Sequence, residues 1–84
     1  MAEQMIIPAY VISDTGYSCV VSYQDDWCYG KSRPLGRASS HEHARKLIKV
    51  DIRQGYDERN GLPVYHISDH GNLQRIRCVR LRRR

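Results

Sequence analysis

The heptapeptide Tyr-x-Ile-Ser-Asp-x-Gly occurs twice, at Tyr10–Gly16 and Tyr65–Gly71, and brackets Ala38 to Gly55, the one segment whose apolar residues recur at helical spacing. An apolar strand running into Ser-Asp-x-Gly is a hairpin signal, because Asp bonds to the backbone ahead of it and Gly accepts φ > 0. The order hairpin, helix, hairpin follows. It predicts an α+β fold: an antiparallel sheet of two hairpins, four to five strands in ββ(β)αββ order, with one helix packed on one face.

Eighty-four residues make one core and no more, so residues 1–81 are expected to form a single domain, with 82–84 a flexible basic tail. In the first strand Pro8 lacks the amide that a ladder needs, which predicts an edge strand or a break there. The return strand places Tyr17, Cys19, Val21 and Tyr23 on one face. Asp25 and Asp26 end it, and Trp27-Cys28-Tyr29 forms either a short third strand or an anchor on the core. Gly30 to Gly36 has loop composition. Its Gly-Lys-Ser is not a phosphate-binding loop, because Asp25 stands where that motif needs glycine and Pro34 follows where it needs a helix.

Ser39 and Glu42 have capping-box spacing and predict the helix start. Ala44, Leu47, Ile48 and Ile52 then fall on one stripe, with Arg45, Lys46, Lys49 and Arg53 on the flanks and outer side. Gly55 suits the residue after the C-cap. Asp51 disagrees, since it lies within the apolar stripe. Either the helix ends near Val50 or Asp51 makes a specific bond at the sheet, and the first reading is favoured. After an Asn60-Gly61 turn, Val64–Ile67 and Leu73–Leu81 form the second hairpin, and a slip in alternation past Cys78 implies a bulge or an exit from the sheet.

Net charge is +5, and its distribution says more than its sum. Residues 1–30 carry −4, 31–53 carry +5, 54–74 carry −2 and 75–84 carry +6. Charge segregated in this way gives a local field that a partner can feel. The C-terminal run holds Arg75, Arg77, Arg80, Arg82, Arg83 and Arg84, and a second group comprises Lys31, Arg33, Arg37, Arg45, Lys46 and Lys49. The arginine fork suits phosphate and carboxylate, so these residues are the candidate binding surface for nucleic acid, a nucleoprotein complex or an acidic protein face. The competing reading is a solvated tail that keeps the chain soluble and guards an edge strand.

One helix excludes the two-helix RNA-binding folds and the helix-turn-helix. Tyr10, Tyr17, Tyr23 and Tyr65 would make a base-stacking platform only if they left the core. Cys19, Cys28 and Cys78 with His41, His43, His66 and His70 are seven potential metal ligands, but none form a tight local pair, so no metal or other cofactor is expected. No Cys–His or paired-carboxylate signature of catalysis stands out, and an enzyme is not expected. The odd cysteine count argues against a disulfide framework. Without a secretory signal or a membrane-length apolar run, a soluble cytoplasmic protein is expected.

The single helix between hairpins, the basic tail and the absence of a catalytic signature resemble the small accessory proteins of phages and other mobile elements, anti-CRISPR proteins among them. The resemblance is one of size and layout and assigns no residues. It implies a non-enzymatic inhibitor that occludes a guide-RNA surveillance complex or its DNA-binding surface. The alternative is a protein-only interaction module that docks by a strand edge or the Trp27/Tyr29 cluster, the arginines merely steering it.

Overall fold

Among the described residues three strands precede the helix, and that number decides the direction of everything after it. A computed structural model describes residues 5–26 and 32–82, with β1 at Ala9–Asp14, β2 at Cys19–Gln24, β3 at Arg33–Ala38, α1 at His41–Arg53, β4 at Val64–Ile67 and β5 at Leu73–Ile76. β1, β2 and β3 run antiparallel in turn, so β3 ends at the same end of the sheet as β1. The helix returns the chain to the opposite end, and β4 must then run parallel to β1. β5 pairs antiparallel with β4, which gives one five-stranded mixed sheet in the order β3-β2-β1-β4-β5. Among the described residues the expected α+β class, single α-helix and two hairpins are present; the wholly antiparallel sheet is corrected to a mixed one.

Pro8 does not push β1 to an edge. The strand begins at Ala9, just beyond the proline, and occupies the centre of the sheet. Conversely, the segment from Arg33, expected to be a loop, is strand β3. Leu35 is the extra residue of a bulge between the Ser22–Pro34 and Val21–Gly36 pairs. An edge strand tolerates Pro34, because the proline has no amide to offer outward. Trp27, Cys28, Tyr29, Lys31, Arg83 and Arg84 lie outside the described residues.

Alternation along the strands sorts side chains between two faces. Tyr10 and Ile12 on β1, Cys19, Val21 and Tyr23 on β2, and Val64 on β4 face α1, where Ala44, Ile48 and Ile52 complete the core with Ala38 and Val79. Tyr17 is not among them. It sits in the first turn and is 98 % exposed, because β2 begins only at Cys19. Tyr10, Tyr23 and Tyr65 are all buried, so they offer no platform for stacked bases.

The helix begins one residue later than its capping-box spacing implies. Ser40 is the N-cap and its hydroxyl accepts from the His43 amide at 3.1 Å, while His43 Nδ1 accepts from the Ser39 amide at 3.4 Å. It also ends later than favoured, at Arg53 with Gln54 as C-cap and Gly55 next. Asp51 is buried within it. Its Oδ2 accepts from the Tyr10 hydroxyl at 2.5 Å and from Arg59 Nη1 at 2.9 Å. The Arg59 guanidinium lies between the rings of Tyr23 and Tyr56, 3.9 and 3.7 Å from their centroids. Burial and the Asp51 carboxylate both raise the Tyr10 hydroxyl pKa well above the phenol range.

β5 stops at Ile76, and the chain leaves the sheet there, somewhat before the Cys78 slip. The arm beyond it is held by specific bonds. The Val79 carbonyl accepts from the Gly61 amide at 3.1 Å, and Asn60 pairs with both backbone groups of Leu81 at 2.8 and 2.9 Å. Among the described residues no helix is long and apolar enough to cross a membrane.

Candidate functional site

Two constellations stand out, one cationic and one built on a carboxylate. The first joins the helix to the C-terminal arm. Arg45, on the second turn of α1, donates from Nη1 to the Arg77 carbonyl at 2.7 Å and from Nη2 to the Cys78 carbonyl at 2.9 Å. Arg45 therefore fixes the arm against the helix flank. Arg45, Lys49, Arg77, Arg80, Leu81 and Arg82 consequently line one cleft of about 530 Å³. Two basic groups separated in the sequence thus share one surface.

Of the other expected binding residues, the four that are described do not line it. Lys46 is exposed on α1 without lining the cleft. Arg75 pairs with Tyr65 and so lies on the face turned away from the helix. Arg33 and Arg37 belong to β3, at the other edge of the sheet and four strand spacings, roughly 19 Å, from β5. Of the twelve expected cations nine lie among the described residues, and five of these line the groove.

The second constellation gathers where β1 and β4 end and α1 begins. Asp14 follows Ile12 by two residues and therefore faces the helix side. His66 pairs in register with Ile12 and shares that face, and His41 is the first residue of α1. Asp14 Oδ2 lies 2.6 Å from His66 Nε2, and Oδ1 lies 3.2 Å from His41 Nε2. The two imidazole centroids are 4.7 Å apart. The Cys19 thiol also donates to Asp14 Oδ1, at 3.1 Å. These bonds, His66 first and then Cys19, hold the Asp14 carboxyl down at about 2. Burial, with the carboxylate beside it, pushes the Cys19 thiol up to about 11. The cluster borders a cleft of about 290 Å³ lined also by Tyr17, Ser18, Ser39, Ser40 and Asp69.

No family model, curated protein or solved structure matches the chain. The chemistry of the two constellations must therefore carry the functional reading.

Sequence reasoning missed the second constellation because its members stand in three separate elements, with no local spacing to betray them. The Ser-Asp-x-Gly motif held a partial signal. Its aspartate was expected to bond the turn, but Thr15 does so in the first turn, its hydroxyl accepting from the Ser18 amide at 3.2 Å. In the second turn Ser68 serves, accepting from the Asn72 amide at 3.1 Å. Asp14 is thereby released to face the histidines.

Proposed function

We propose that this protein is a non-enzymatic binder of nucleic acid, holding the phosphate backbone in the groove between α1 and the C-terminal arm. The observation that carries this reading is the pair of hydrogen bonds that Arg45 donates to the Arg77 and Cys78 carbonyls. It gathers Lys49, Arg77, Arg80 and Arg82 around Arg45 in a groove, where scattered surface cations would be mutually independent. Positive charge gathered in a concave site attracts a polyanion more strongly than the same charge dispersed. The narrower reading, an inhibitor that engages the nucleic acid of a host defence complex, follows from the layout and is tested on the assembled complex.

Docking through a strand edge has less to support it. β3 presents Arg33, Pro34 and a bulge at one edge, and β5 is four residues long at the other. Charge, proline and bulges are the features that discourage strand addition.

The deciding experiment is fluorescence anisotropy with labelled duplex and single-stranded DNA and RNA over a range of salt. Wild type is expected to bind with a log–log salt slope of about −0.9 for each duplex phosphate neutralised. Substituting Arg77, Arg80 and Arg82 by Gln should weaken binding and flatten that slope, whereas Arg33→Gln with Arg37→Gln should change both much less. Equal affinity in the groove variant and wild type would refute the reading. Capture of a partner that survives nuclease would replace nucleic acid with an acidic protein.

A further inference from the structure

We infer that Asp14, His41 and His66 form a binding site for a divalent transition metal, best fitted by zinc, with an open coordination position toward the adjacent cleft. The site is separate from the basic groove and does not depend on its function. Two imidazole nitrogens and one carboxylate are borderline ligands that suit zinc, and cobalt or nickel as substitutes; calcium and magnesium prefer all-oxygen sets. The donor atoms lie within 4.8 Å of one another. Ligands placed about 2.0–2.1 Å from a tetrahedral metal are separated by roughly 3.3 Å. The 3.2 Å separation of His41 from Asp14 is close to that value and the 2.6 Å separation of His66 is shorter, so side-chain rotations that open the second contact would admit an ion.

The surroundings support the same assignment. Metal-binding carboxylates are commonly oriented by a further hydrogen bond, and the buried Cys19 thiol supplies one to Asp14. Exposure rises from 18 % at His66 through 30 % at Asp14 to 48 % at His41, so the cluster is rooted in the interior and opens outward. Three protein ligands with one side open leave room for water or a small anion, the arrangement of zinc sites that are not purely structural. Asp69, which lines the same cleft, adds negative charge near the ion. A metal there would tie the ends of β1 and β4 to the start of α1, three elements far apart in the chain.

Metal entry displaces any proton on the two Nε2 atoms, which then coordinate through their lone pairs. The competing reading is a metal-free hydrogen-bonded network in which the imidazoles donate to Asp14. Zinc titration of reduced, chelator-stripped protein separates the two, with native mass measurement for stoichiometry and imidazole NMR shifts for location. One zinc per chain is expected, with His41 and His66 resonances moving together. Asp14→Asn and His66→Gln each retain a polar group and should weaken zinc binding roughly tenfold or more, whereas His43→Gln and His70→Gln should leave it unchanged. Circular dichroism in chelator establishes that each variant is folded. Cobalt should give visible bands that disappear in the His41→Gln, His66→Gln double variant. Absence of zinc binding by folded wild type, or equal binding by that double variant, would overturn the assignment.

Discussion

The hydroxyl of Tyr10, at the start of the central strand, donates to the carboxylate of Asp51 in the last turn of α1 at 2.5 Å. This bond resolves the polar interruption of the helix stripe. Asp51 also holds the buried Arg59, so the sheet, the helix end and the turn after it meet on one carboxylate. Removing Asp51 strands a charge in a poorly solvated place. Asp51→Ala is expected to cost about 3–5 kcal/mol, whereas Tyr10→Phe, which leaves the ion pair intact, should cost about 1.5–3 kcal/mol. Urea unfolding measures both, and pairing Asp51→Ala with Arg59→Leu should cost less than the two changes summed.

The position of the N-cap can be tested in the same way. Ser40→Ala removes the acceptor of the His43 amide and should destabilise by about 1 kcal/mol. Ser39→Ala removes no cap and should cost less. The reverse ranking in thermal unfolding would restore the start expected from the Ser39 and Glu42 spacing.

Acid stability should record the Asp14 contacts. The carboxyl is held at about 2 against an ordinary 3.8, chiefly by the hydrogen bond from His66. A folded-state pKa below the unfolded one contributes stability that is complete above 3.8 and is lost as pH falls toward 2. With chelator present, wild type should lose stability through this window more steeply than Asp14→Asn. Denaturant midpoints measured across it supply the comparison.

Cys19 should resist alkylation while the protein is folded. Its thiol is pushed up to about 11 by burial and by Asp14, so little thiolate exists at neutral pH. Mass mapping after iodoacetamide treatment should find Cys19 unmodified in native buffer and modified in urea. Rapid native labelling would show that the β1 and β2 ends open readily.

The C-terminal arm should depend on Asn60 and Gly61. Asn60→Ala removes both bonds to Leu81 and is expected to destabilise by about 1–3 kcal/mol and to abolish exchange protection of the Leu81 amide. Gly61 has φ +80°, and an added Cβ would meet the Arg80 guanidinium at 3.4 Å. Gly61→Ala should therefore cost about 1–2 kcal/mol of backbone strain and displace Arg80. Hydrogen exchange and thermal unfolding read both effects, and a weaker grip on nucleic acid should accompany them if the groove is the binding surface.

Helix, hairpins and core stripe were legible because periodicity and turn residues are local signals. Sheet polarity was not, because it turns on whether a third strand precedes the helix, and Pro34 and Gly36 disguise β3 as a loop. Asp51 was visible as a conflict, but its partners Tyr10 and Arg59 come from other elements. The basic residues announced themselves by charge. Which of them converge depended on Arg45 reaching backbone carbonyls, an interaction with no sequence signature. The Asp14 cluster was the least visible, since parallel pairing of β1 with β4 places His66 beside it and that pairing is set by the strand count.

The central place of β1 also bears on how the chain is made. One edge of β1 is covered by β2 almost at once, but the other waits for Val64–Ile67, which the ribosome delivers only after the whole helix. Until those residues clear the exit tunnel, an apolar strand edge stands open to neighbouring nascent chains, so synthesis is the stage at which chaperone cover matters most.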